Sequence, residues 1–140
     1  MDCIFCKILK GEIPAHTVYE DEHVYAFLDI SQWTRGHTLI IPKKHVRNVY
    51  ELNDETATVV AKAIPKVARA LKEAFDPIGL NIINNNDKPH QTVYHFHVHL
   101  LPRYEDDGVV LNGTNQQDNL SDKDYRQIKE SIIDALGKKK

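Results

Sequence analysis

The stretch that most constrains this chain is His95-Phe96-His97-Val98-His99, continued by Leu100-Leu101-Pro102-Arg103-Tyr104. Histidine alternates with apolar residues for five positions, which is strand periodicity. A strand sends successive side chains to opposite faces, so three imidazoles share one face while Phe96, Val98 and Leu100 share the other. Of the eight histidines in the chain, three stand here. That density points to chemistry, because imidazole is the side chain that changes charge near neutral pH and serves as base, nucleophile or metal ligand.

The rest of the chain must supply a scaffold for that face. At 140 residues it suits one domain with a proper core. Thr17-Val18-Tyr19-Glu20 and His23 to Asp29 read as two strands joined by the acidic link Asp21-Glu22, a hairpin. Gly36 leads into a third strand, His37 to Pro42, which Pro42 ends because it cannot donate to a central ladder. Asn53 or Asp54 caps a long helix to about Phe75, with Val60, Ile64, Val67, Ala68, Leu71 and Phe75 as its apolar stripe. Pro65 lies inside it and should kink it. Gly79 to Asn84 is a fourth strand and Thr92 to Pro102 the fifth. Asp2 can cap a short helix from Cys3 to Leu9, and Ser121 to Leu136 forms a second amphipathic helix after a polar, aperiodic segment. The expected architecture is α+β: a five-stranded, mostly antiparallel sheet with one long helix and terminal helices. The chain reads as a single domain over 1–140, with a core at 1–104 and a mobile segment plus C-terminal helix at 105–140. Exposed sheet edges favour pairing with a second copy, hence a homodimer.

Composition excludes several classes. A net charge of -2 leaves no footprint for a nucleic acid polymer. No apolar run reaches the ~18 residues of a membrane span. Met1-Asp2-Cys3 lacks the basic and then apolar run of a secretion signal, so a cytoplasmic location is expected.

Two chemistries fit the histidine face. Zinc takes three protein ligands and an open position, with ligand nitrogens at ~2.0–2.1 Å. Same-face residues on a strand stand ~6.6–7 Å apart, so a flat strand brings one neighbouring pair to a metal, not all three. The alternative is nucleophilic catalysis on phosphorus, in which the central imidazole attacks and its neighbours hold oxygens and move a proton.

His95 to Leu101, with the histidines at every second position, resembles the signature of the histidine triad family of nucleotide hydrolases and transferases. The likeness runs from Cys3 to Arg103 and takes in Ile13-Pro14, Phe27-Leu28-Asp29-Ile30, Gly36 to His45 and Gln91-Thr92-Val93. It is closest to small bacterial members of the Hint-like branch. The resemblance implies a fold of that family and a nucleoside 5′-phosphate hydrolase or transferase, acting on a purine nucleoside phosphoramidate or a dinucleoside polyphosphate. It makes His97 the nucleophile, His99 the histidine that binds the phosphoryl oxygens and helps the leaving group take its proton, His95 a support for His97, and His37 the fourth histidine. It gives Asp29 to the ribose hydroxyls; Phe5, Ile8, Ile13, Phe27, Leu28 and Ile30 to the base; and Gln91, Thr92 and one of Asn84 or Asn85 to the phosphate. Most apolar residues of a small domain are core, perhaps half of that base group included. The loop Asn86 to His90 departs from the pattern: it is one residue short, and His90 stands where the family has glycine. No Mg²⁺ site is evident. A non-catalytic nucleotide-binding or scaffold protein is the alternative from another class.

Cys3-x-x-Cys6 has zinc-ligand spacing but is only half a site. Two reduced, partly buried thiols would explain it equally. The resemblance implies a structural Zn²⁺ completed by His45 and His95.

Overall fold

A computed structural model describes residues 3–137. Asp2, expected to cap the first helix, and the Lys138-Lys139-Lys140 tail lie outside the described residues. The elements run α1 (Ile4–Leu9), β1 (Thr17–Glu20), β2 (Val24–Leu28), β3 (Thr38–Pro42), α2 (Asp54–Phe75), β4 (Gly79–Ile83), β5 (Val98–Arg103) and α3 (Asp122–Gly137). The five strands form one sheet in the order β1-β2-β3-β5-β4, with every neighbouring pair antiparallel. The chain divides into two compact units with the boundary between Val109 and Val110.

In the first unit, strand alternation separates two cores. Val24, Ala26, Ile40, Val98 and Leu100 point to one face and pack with Val60, Ala63, Val67 and Leu71 of α2. Phe27, Leu39 and Ile41 point to the other, where they meet Cys3 and Phe5 from the α1 segment. All five residues of β3 are buried, since it lies between two strands and is covered on both faces. The buried positions of α2, Thr56, Val60, Ala63, Val67 and Leu71, step by three and four residues as a helix stripe must. The helix continues through Pro65, which removes the amide that would bond Ala61. Both residues are exposed, so water can take the freed carbonyl. Asn53 caps α2 by accepting from the Thr56 amide at 2.8 Å.

One expectation needs correcting. The fifth strand does not begin at Thr92: its hydrogen-bonded part starts at Val98, so His95 and His97 precede the ladder. The ladder with β3 ends at the Ile40–Val98 pair although β3 itself runs on to Pro42, and the Phe96 amide donates instead to the Val46 carbonyl at 2.6 Å. Alternation nevertheless persists upstream of the ladder, with Phe96 in the α2-facing core alongside Val98 and Leu100. The period-two pattern survives because burial of the apolar residues, rather than pairing, holds it.

In the second unit, Ser121 and Asp124 cap α3 reciprocally: the Ser121 amide donates to the Asp124 carboxylate, and the Asp124 amide donates to the Ser121 hydroxyl. No residue of α3 is buried. Among the described residues, no helix is long and apolar enough to cross a membrane.

Gly36 shows how tightly the first unit closes behind the site. Its φ is +95°, and a Cβ there would stand 3.0 Å from the Phe75 ring and 3.2 Å from Pro102. Gly36→Ala should therefore destabilise the fold by about 2 kcal/mol or more, from backbone strain and overpacking together. Gly79→Ala, where nothing lies within 4 Å of the new Cβ, serves as control in urea unfolding.

Candidate active site and metal group

The histidines gather on the α1-facing side of the sheet, where main-chain groups orient His95, His97 and His37, and His37 orients His99. His95 is completely buried, and its Nε2 lies 2.8 Å from the Pro42 carbonyl. A carbonyl only accepts, so Nε2 carries the proton and Nδ1 presents a lone pair. The Nδ1 of His97 lies 2.7 Å from the His95 carbonyl, which by the same reasoning leaves its Nε2 free as a nucleophilic lone pair. The Trp33 amide donates to Nδ1 of His37 at 3.3 Å, so the proton of that ring is on Nε2. His37 Nε2 in turn lies 2.9 Å from Nδ1 of His99 and donates to it, which places the His99 proton on Nε2. The rings of His97 and His99 are 5.0 Å apart, and Phe5 packs edge-on against both His95 and His97.

Charge follows from burial. It holds His97 and His37 below the ordinary imidazole value, and it lowers His99 to about 4, reinforced by its neighbours His97 and His37. His95 is likewise lowered to about 4 by burial. Asp29 goes the other way: burial opposes its ionisation, but bonds from the Ser31 hydroxyl (2.6 Å) and amide (2.8 Å) hold its carboxyl below the usual range. Its other oxygen lies 3.6 Å from His37 Nε2. At neutral pH the site thus combines neutral imidazoles with one carboxylate.

Among the described residues, two groups of side chains have metal-ligating atoms within 4.8 Å of one another: Cys3, Cys6, His45 and His95, and separately Asp29, His37 and His99. The first fits zinc. The Cys3 Sγ and His95 Nδ1 atoms are 3.4 Å apart, Cys6 Sγ and His45 Nδ1 3.3 Å, and Cys6 Sγ and His95 Nδ1 3.6 Å. Zn–S and Zn–N bonds of ~2.3 and ~2.0–2.1 Å at a tetrahedral angle put S and N about 3.6 Å apart. His95 also offers the bare nitrogen, with its other nitrogen bonded to a carbonyl as in zinc-ligating histidines. Burial, and then Cys3, push the Cys6 thiol up, a proton that a metal cation would displace. The second group is not a good metal site: the Trp33 amide leaves His37 Nε2 protonated, so the atom facing Asp29 and His99 is a donor, not a ligand.

The remaining expected residues are placed as follows. Phe5 and Phe27 are buried and meet edge to face with centroids 5.4 Å apart, while Ile8, Ile13 and Leu28 are half-buried and Ile30 is 90% exposed. Gln91 is buried with every polar atom used: its Nε2 donates to the Arg47 and Val93 carbonyls, and its Oε1 accepts from the Asp87 amide and from Asn48. Its side chain braces the loop before the triad. Asn84 donates to the His97 carbonyl at 2.9 Å and accepts from Asn86, with half-buried Asn85 beside it. Thr92 and His90 are exposed.

Sequence reading missed the supports: Trp33, Gln32, Asn48 and the carbonyls of Pro42 and His95. Gln32 knits the turn, donating from Nε2 to the Asp29 and His37 carbonyls and accepting from the Gly36 amide. Only Ser31 carried a signal, standing two residues after Asp29 as an Asx turn requires.

The five-stranded antiparallel sheet with its cluster of oriented histidines is a fold and site shared with known proteins, and comparison assigns the family. The HIT domain matches residues 10–106. The crystal structure of a member of the HIT family from Bacillus subtilis is 51% identical, covers 96% of each chain and superposes with a TM-score of 0.93. A Zn-bound histidine triad family protein from Mycobacterium smegmatis is 40% identical over 81% of this chain and 84% of its own, with a TM-score of 0.73. Adenosine 5′-monophosphoramidase of Saccharomyces cerevisiae is 40% identical over 96% of this chain and 84% of its own. The chain belongs to the histidine triad family.

The charge state can be checked directly. The His99 ring should titrate with a midpoint near 4 by NMR, against ~6.5 for a free imidazole. The folded protein then binds this proton less readily than the unfolded chain, so the contribution of His99 to stability is complete above pH ~6.5 and lost as pH falls towards 4. Unfolding midpoints at pH 7, 6 and 5 should decline in that order.

Proposed function

We propose that the chain hydrolyses a purine nucleoside 5′-phosphoramidate, or a related nucleotide anhydride, through a covalent nucleotidyl-His97. The observation that carries this reading is the ring orientation: His97 has its proton bonded to the His95 carbonyl and its Nε2 lone pair free, beside a neutral His99 with its proton on Nε2. The yeast relative named adenosine 5′-monophosphoramidase supports the substrate class.

Nε2 of His97 attacks the α-phosphorus, and the P–N bond breaks as the new N–P bond forms. Phosphorylation makes the His97 ring cationic, and the Nδ1–H bond to the His95 carbonyl strengthens as it does. The leaving nitrogen takes a proton that solvent supplies across His99 Nε2, so that ring stays neutral, and the water that attacks in the second step releases one proton as it cleaves the His97 N–P bond. His95 supports His97 through that carbonyl, and His37 holds His99 in the productive tautomer. Asp29 receives the ribose hydroxyls on its oxygen facing His37. Ile8, Ile13, Leu28 and Ile30 border the base, with Phe5 and Phe27 behind them. Asn85, Thr92 and amides of the loop braced by Gln91 and Asn84 hold the phosphate oxygens. The reading needs no Mg²⁺.

Cys3, Cys6, His45 and His95 would hold a structural Zn²⁺, which supplies a cross-link between α1, the segment after β3 and the start of the triad. The reading includes a reducing cytoplasmic setting, in which both cysteines stay available as ligands, one domain over 1–140, and a homodimer paired along β4, an outer strand where Ile82 stands exposed.

His97→Ala should reduce turnover of adenosine 5′-phosphoramidate by at least about a thousandfold while AMP still binds, and rapid quenching of the wild type with labelled substrate should trap acid-labile label on the protein. AMP binding with neither label nor turnover would instead establish the non-catalytic reading. Cys3→Ser should lower bound zinc from about one per chain to well below that, and lower Tm by several degrees, as metal analysis and calorimetry would show.

A further inference from the structure

The four residues of the cysteine-containing metal group come from three parts of the chain, but both sulfurs come from one. Cys3 is the N-cap of α1 and Cys6 lies in its first turn, while His45 follows β3 and His95 precedes β5. The Cys3 Sγ accepts from the Cys6 amide at 3.3 Å, so the first turn itself holds this sulfur beside the second cysteine. The ligating atoms of the group all lie within 4.8 Å of one another, and neither cysteine is in a disulfide. Two sulfurs this close on one turn can reach the ~2.05 Å of an S–S bond by side-chain rotation and a small adjustment of that turn. No strand has to move.

Metal binding requires both sulfurs as thiolates, and the thiolate is also the form that attacks an oxidant. Cys6 is half-buried and Cys3 only 7% exposed, which sets the order of attack. The Cys6 thiolate attacks one oxygen of a hydroperoxide. The O–O bond breaks, Cys6 becomes a sulfenic acid, and the departing oxygen takes a proton and leaves as water. The Cys3 thiolate then attacks the Cys6 sulfur, the S–O bond breaks, and hydroxide takes the second proton. Two thiolates have given up two electrons, and one hydrogen peroxide with two protons has become two waters. Neither sulfur of the resulting disulfide is a thiolate, so both sulfur ligands are lost together and His45 and His95 remain as half a site.

That loss falls on the element with the weakest hold. Helix α1 has six residues, too few to persist without tertiary support, and Phe5 is the residue it buries. The Phe5 ring meets those of His95 and His97 at 5.9 and 5.1 Å, so α1 also forms the wall behind the nucleophile.

We infer that Cys3 and Cys6 are a peroxide-sensitive dithiol: closing to a disulfide releases Zn²⁺ and loosens α1 from the triad. The proposal rests on the zinc reading of the four ligands and assigns their response to oxidation.

The whole protein, reduced in the presence of zinc and then freed of excess reagents, should carry about one zinc per chain. Hydrogen peroxide should release that zinc to a colorimetric chelator and take free thiols from two per chain to none. Peptide mapping by mass spectrometry should find Cys3 joined to Cys6, at ~2 Da below the reduced pair. Dithiothreitol with added zinc should restore the starting state, as exchange with a thiol allows. The amides of Lys7 and Lys10, bonded to the Cys3 and Cys6 carbonyls, should exchange hydrogen at least about tenfold faster after oxidation, while those of α2 are unchanged. In Cys3→Ser, with no second thiol to resolve it, Cys6 should pass on to sulfinic acid or link two chains. Zinc retained under peroxide with both thiols free would overturn the proposal, as would zinc lost without a Cys3–Cys6 bond, or a disulfide that leaves α1 exchange unchanged. Reduced protein that takes up no zinc would instead overturn the zinc reading on which it rests.

Discussion

The site depends on the burial of one imidazole. His95 has no exposed surface, and each of its polar groups is committed: Nε2 to the Pro42 carbonyl, Nδ1 towards Cys3 and Cys6, and its own carbonyl to Nδ1 of His97. A buried imidazole without such partners would cost several times what one hydrogen bond contributes. The α1 segment, the end of β3 and the entry to β5 are therefore tied to one ring, and the nucleophile beside it inherits its orientation from that ring's carbonyl.

The second organising fact is that backbone groups choose the tautomers of His95, His97 and His37, and His37 then chooses that of His99. Carbonyls of Pro42 and His95 and the amide of Trp33 each contact one nitrogen of a histidine, and each leaves the other nitrogen with a defined role. Burial keeps the rings neutral, so those roles persist across the physiological range. The same logic separates the two clusters of potential ligands. In one, the His95 nitrogen facing the sulfurs is bare; in the other, the His37 nitrogen facing the carboxylate holds a proton.

Legibility in the sequence was uneven for physical reasons. The helix α2 and strands β1 to β4 announced themselves through periodicity and caps, because burial on one face imposes a repeat. Where β5 would begin was hidden: residues 95–97 keep the alternation of a strand but lack its ladder, because the Phe96 amide bonds the Val46 carbonyl outside the sheet. Gln91 and Asn84 had the composition of ligand-binding side chains, yet their amides brace the chain around the triad. Nothing local distinguishes an amide that meets a carbonyl from one that meets a phosphate.

The sequence by itself determined which side chains share a face, since period two alone puts His95, His97 and His99 together, and it specified the α+β class through its order of repeats. It also determined the candidate ligands, because cysteine and histidine carry that chemistry wherever they fold. Only the tertiary structure decided which nitrogen of each ring is free, and that His45 joins the cysteines while His37 joins His99. The rings of His95 and His99 depend on partners 53 and 62 positions away, and although the groups that orient His97 and His37 are two and four residues away, the burial that keeps all four rings neutral comes only with the folded chain.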